Sequence, residues 1–190
     1  MRFHDFFSVR RKKVLPSRFS GEGTVLIAQM VQMSNLAAKM PEIEEMIVFL
    51  KRHIDTQNRI VAKNGGVVHV FVGDAILAYW VRTNDDAEYV NRAFLTAEEL
   101  LSTVSDEVDY RVSLGSGFLS GDFFEPINKF QVVGSAMTEA DQLSRFAYPA
   151  HRAMLLTEST KSKLTRRYPT YEILGELPNH SQVLAAFQPA

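Results

Sequence analysis

Apolar positions in this chain fall into short runs, and the spacing within each run switches between two residues and about 3.6. Thr24 to Val31 is an almost unbroken apolar run of strand length, which predicts a buried strand. Ser34 then suits the cap of a short helix ending at Lys39. Ile43, Met46, Ile47, Leu50, Ile54 and Ile60-Val61 recur at helical spacing. Pro41 stands where that helix starts, and Glu42, Glu44 and Glu45 complement the dipole of its first turn. The helix is expected to run to Gly65, where glycine takes up a left-handed cap. Val67–Val72 and Ala75–Trp80 follow, two β-branched and aromatic runs flanking Gly73-Asp74, the pattern of a β-hairpin.

Asp85-Asp86 open a further helix with Ala87, Val90, Phe94, Ala97, Leu100 and Leu101 as its stripe. Asp109 to Gly117 alternates as a strand, and Phe118 to Phe130, marked by Gly, Pro and Asn, reads as a strand end and a loop. Phe130–Gly134 is a short strand, and Ser135–Ala147 a helix with Met137, Ala140, Leu143 and Phe146 inward. Ala153–Thr157 is a strand, Glu158–Leu164 a short helix, and Tyr171–Leu174 and Gln182–Phe187 strands that close the sheet. The order is βααββαββα, then βαββ, without an internal repeat. It predicts an α+β fold with a ferredoxin-like core: a central, antiparallel-rich sheet with helices packed on one face and the first strand beside the hairpin. Residues 1–23 read as a basic arm ending in a Pro-, Ser- and Gly-containing linker, and 24–190 as one domain.

Composition narrows the class. With 46% hydrophobic and 23% charged residues the chain is an ordinary globular one. The absence of cysteine excludes a disulfide frame, a thiolate metal site and a cysteine nucleophile. No apolar run is long enough to span a bilayer and the first residues lack a signal-peptide core, so a cytoplasmic location is expected. The net charge of −1 hides an asymmetry. Residues 1–18 hold six basic residues against Asp5, a net +5, leaving 15 basic and 21 acidic residues beyond them, a net −6. Such an arm meets acidic lipid or another domain where it meets anything, and its plainer role is a solvated segment or one folded onto its own acidic body. The acidic body carries no basic stripe, which excludes nucleic-acid binding.

Few residues carry chemistry. Asp74 at the hairpin tip is a turn residue whose side chain bonds the local backbone, or a metal ligand on a rigid tip. Gly115-Ser116-Gly117 lacks the lysine and spacing of a phosphate loop and reads as a strand-end turn. The five histidines show no zinc-ligand spacing.

Four blocks resemble class III adenylate/guanylate cyclase catalytic domains: Val25-Leu26-Ile27-Ala28-Gln29-Met30-Val31, the Gly65–Ala78 hairpin, Arg111-Val112-Ser113-Leu114-Gly115-Ser116-Gly117, and Val132-Val133-Gly134-Ser135-Ala136-Met137. They stand in the family's order over about residues 24–188. The resemblance implies a head-to-tail dimer with active sites at its interface. Two Asp residues, on the first strand and at the hairpin tip, would hold two Mg²⁺ or Mn²⁺ ions that activate the ribose hydroxyl and bind a triphosphate. The partner would supply a base-selecting pair, a ribose-orienting Asn and a transition-state Arg.

Carried over by position, Asp74 keeps the hairpin carboxylate. The first-strand Asp falls on Gln29, a neutral amide and a much weaker ligand for Mg²⁺. The base-selecting pair falls on Val70, which has no donor, and on Gln131, which does. The ribose Asn falls on Thr138 and the transition-state Arg on Gln142, which lacks the charge and the five-donor fork. Arg145, one helical turn on, is the nearest stand-in, with Lys129 and Arg111 behind it. Loss of a single preorganised charge typically lowers rate on the order of 10²–10³-fold. The resemblance therefore implies a catalytically impaired cyclase-homology domain that acts as a dimerising regulatory or nucleotide-binding module. The alternatives are an active divergent cyclase using Asp74 and Arg145, and an adaptor that works through its basic arm. A heterodimer is not an obvious rescue, because the metal half departs at Gln29 and the partner half at Val70, Thr138 and Gln142.

Overall fold

The computed structural model describes residues 18–31, 38–40, 42–84, 87–103, 109–146, 153–165 and 171–187. The elements are β1 (Phe19–Val31), α1 (Ile43–Lys63), β2 (Val67–Val72), β3 (Ala75–Val81), α2 (Tyr89–Ser102), β4 (Asp109–Phe124), a 3₁₀ turn (Glu125–Ile127), β5 (Lys129–Val133), α3 (Ser135–Ser144), β6 (Ala153–Thr157), α4 (Glu158–Ser162), β7 (Tyr171–Glu176) and β8 (Gln182–Phe187). They form one mixed sheet in the order β2-β3-β1-β4-β6-β8-β7, with β5 extending along the far half of β4. Among the described strands only β4 and β6 run parallel. β1 lies between the hairpin and β4, as expected from sequence. Ala38 and Lys39 are helical, while Ser34, Pro41 and Asp85-Asp86 lie outside the described residues.

Two stretches depart from expectation. β1 starts at Phe19, inside the presumed linker, because Phe19–Gly23 pair antiparallel with Gly117–Gly121. Pairing overrides the turn-forming composition of Ser-Gly-Glu-Gly. β4 likewise continues to Phe124 through residues read as loop, held on one side by β1 and on the other by β5.

The larger correction concerns the helices, which occupy both faces of the sheet rather than one. Alternate residues of β1 face opposite ways. Leu26, Ala28 and Met30 pack with Phe49, Ile60 and Val61 of α1 and Phe94, Ala97 and Leu100 of α2. Val25 instead packs with Ala136 and Ala140 of α3. The first face is a large apolar core closed at one corner by Trp80, whose indole nitrogen donates to the Asn64 carbonyl at 2.9 Å. Gly65 takes φ +71° there, and a Cβ on Gly66 would lie 2.4 Å from the indole. That explains both glycines.

On the second face α3 sits nearly backbone to backbone on β4. A Cβ at Gly115 would lie 2.5 Å from the Ala136 carbonyl oxygen and the Ala140 nitrogen. Polar groups fasten the contact. Ser113 Oγ donates to the Ala140 carbonyl at 3.0 Å. Glu139 accepts from the hydroxyls of Thr157 (2.7 Å) and Thr160 (3.0 Å) and from the Ser116 amide (3.3 Å).

Candidate functional site

The hairpin tip is positioned by backbone geometry. Gly73 turns with φ +58°, and the Met30 amide donates to the Asp74 carbonyl at 3.0 Å, tying the tip to β1. Gln29, next along β1, shares the face of Val25 and Ile27, and its Nε2 approaches Asp74 Oδ2 at 3.5 Å. Arg111 of β4 lies directly across from Gln29 in the strand register. The fold thus brings the two positions singled out on β1 and the hairpin side by side, with an arginine in the next strand.

A bulge in β2 sets the neighbouring surface. Val68 pairs with Ala78 and Val70 with Leu77, so His69 is the extra residue. Val68 and Phe71 pack on the α1/α2 core. His69 meets the ring of Tyr79 edge-on at 6.4 Å, and Val70 opposes Leu77, so both lie on the face of α3 and Gln29. A bulge of this kind re-aims a side chain. Here it places Val70 on the site face. Sequence reading missed it, because the valines and Phe71 of Val67–Val72 occupy both phases and carry no mark of a slip. Partial burial holds the His69 imidazole below its ordinary pKa and pushes the Tyr79 phenol up.

The remaining positions are more dispersed. Phe130 and Val132 turn toward Phe19 and Tyr79, and Gln131 alternates away from them, opposite Asp122 of β4. No hydrogen bond joins Gln131 to Val70 among the described residues. Thr138 is exposed on α3 and bonds only locally, to the Gly134 carbonyl at 3.4 Å. Gln142 is half-buried one turn further on. Arg145 is exposed at the end of α3, with its Nε and one terminal nitrogen 3.1 and 3.0 Å from Asp141 Oδ1. Its guanidinium already has a carboxylate partner. Lys129 is exposed at the start of β5.

These donors do not fit a two-metal centre. Hard divalent cations take oxygen ligands, with carboxylates supplying most of the binding. At the tip one carboxylate faces one neutral amide, and no group of three or more His, Asp or Glu side chains gathers anywhere among the described residues.

No family model and no curated protein matches the sequence. Solved structures do match its shape. Over 92% of this chain and 98% of the other, the fold superposes on the adenylyl cyclase CyaB from P. aeruginosa with a TM-score of 0.78 at 14% identity. The guanylate cyclase domain of RhGC from Catenaria anguillulae, solved in complex with GTP, gives a TM-score of 0.74 at 14% identity, covering 91% and 100%. A bacterial light-regulated adenylyl cyclase gives 0.71 at 17% identity, covering 90% of this chain and 54% of its own. The chain has the fold of class III adenylyl and guanylyl cyclase catalytic domains. At this level of identity the likeness carries the architecture, and the chemistry has to be argued from the residues.

Proposed function

We propose that this domain is a cyclase-fold regulatory module that dimerises, receives a purine nucleotide or similar ligand at the dimer cleft, and does not cyclise it alone. The observation that carries this reading is the Gln29–Asp74 pair. The amide stands beside the carboxylate where two-metal chemistry needs a second negative charge. Val70, Thr138 and Gln142 support it from the other half of the cleft, each lacking the charge or donor that its position would need. Dimerisation is supported by the fold likeness, and by the exposed Val70 and Val72 beside the tip. Arg111 lies directly across from Gln29 and adds a cation to that part of the sheet.

Mn²⁺ titration followed by electron paramagnetic resonance tests the reading. The native protein should show no tight site, and Gln29→Asp should gain one that is lost again on adding Asp74→Ala. Tight Asp74-dependent Mn²⁺ binding by the native protein would contradict it. In parallel, a non-hydrolysable ATP or GTP analogue should raise the melting temperature without Mn²⁺. No shift at millimolar analogue would remove the nucleotide from the proposal.

A further inference from the structure

α1 buries one side against the sheet and leaves an unusual outer side. Ile43 is 67% exposed, Ile47 38% and Val48 69%. Shallow hollows of about 470 and 440 Å³ lie on either side of Val48. Charge on this side is divided about Val48, with Asp55 one turn beyond the basic pair. Glu44 and Glu45 precede Val48, and Lys51 and Arg52 follow it. Glu44 and Arg52 lie four positions from Val48 in opposite directions, and Glu45 and Lys51 lie three. All four are exposed, and Glu44, Glu45 and Lys51 form no ion pair among the described residues. Arg52 lies over the Phe49 ring at 5.7 Å, which holds its charge against the helix surface.

This arrangement is self-complementary about a single point. From it we infer that α1 is a docking surface for a second copy of this chain, packed antiparallel about a two-fold axis at Val48. In that packing each Glu44 meets the partner copy's Lys51, which shares its edge of the helix face, and each Glu45 its Arg52, while Val48 packs on itself and seats in the flanking hollows. Parallel packing would set acid against acid and base against base, so the charges choose the orientation as well as the partner. The apolar area is small, so the contact is weak and favoured by high local concentration. α1 lies on the face of the sheet opposite Gln29 and Asp74. The contact is therefore independent of the proposed ligand cleft and stands or falls separately.

The chain has no cysteine, so Val48→Cys introduces a sole thiol on the axis. A disulfide needs Cα atoms within roughly 4.4–6.8 Å, which facing residues on the axis satisfy. Under mild oxidant Val48→Cys should give covalent dimer at least about tenfold faster than Ile173→Cys, an exposed control on β7. By sedimentation at low salt, Glu44→Lys and Lys51→Glu should each weaken association about tenfold, and the double exchange should restore it. The inference is overturned if the two thiols cross-link at equal rates, or if the double exchange associates no better than the single variants. It is also overturned if Glu44→Lys lowers the melting temperature while leaving assembly unchanged, which would place α1 against other residues of its own chain.

Discussion

The two faces of the central sheet are built differently. Under α1 and α2 the seal is made by apolar side chains of graded size, from Ala28 and Ala97 to Phe94 and Trp80. Under α3 it is made by absence and by polar fastening: Gly115 removes a side chain, and Ser113 and Glu139 hold the helix by hydrogen bonds. Beyond α3 the same face is left open at Gln29, Val70 and Asp74. One face is a core that tolerates little change. The other is a seat for α3 and, beyond it, a surface where Gln29 and Asp74 lie side by side.

That contrast breaks in different ways on the two sides. Phe94→Ala should leave a cavity in the first face and destabilise the fold by about 3–5 kcal/mol, read as a lower denaturant midpoint with an unchanged slope. Gly115→Ala should act by the opposite mechanism. The added methyl meets backbone atoms of α3, which cannot rotate away, so overpacking should remove about 1–3 kcal/mol. Hydrogen exchange should localise that damage to α3 and spare α1 and α2.

A smaller effect comes from His69. Burial lowers its pKa in the fold, so the neutral form is favoured when folded. Its contribution is complete above the ordinary value of about 6.5 and is lost as pH falls from there through the lowered folded value. The stability difference between the native protein and His69→Phe should vary with pH below about 6.5 and be flat above it. The smallest effect is expected at Arg145. Its pair with Asp141 is exposed, so Arg145→Ala should change stability by less than about 0.5 kcal/mol.

The order and type of the elements were legible because apolar periodicity follows burial directly. The apolar run from Thr24 to Val31, the helical stripe at Val90, Phe94 and Ala97, and the Gly-Asp turn each record a local cause. The strand extents at Phe19–Gly23 and Phe118–Phe124 were hidden, since partners distant in sequence created them from residues with weak strand preference. The two-sided placement of the helices was hidden for a related reason. Gly115 reads as part of a strand-end turn until a helix is laid on it. Within the site, the adjacency of Gln29 and Asp74 followed from β1 lying beside the hairpin, whereas the bulge at His69 left no sequence mark. Glu139 as the fastening of α3 was likewise missed, because a lone acid in a helix reads as a solvated one.

The proposal turns on whether this cyclase-fold domain forms a cyclic nucleotide. It is tested most directly by incubating the purified native protein and Asp74→Ala with Mn²⁺ and either ATP or GTP, and measuring cyclic nucleotide formed. The account predicts no product above the no-enzyme background from either protein. Clear turnover by the native protein that disappears in Asp74→Ala would contradict it.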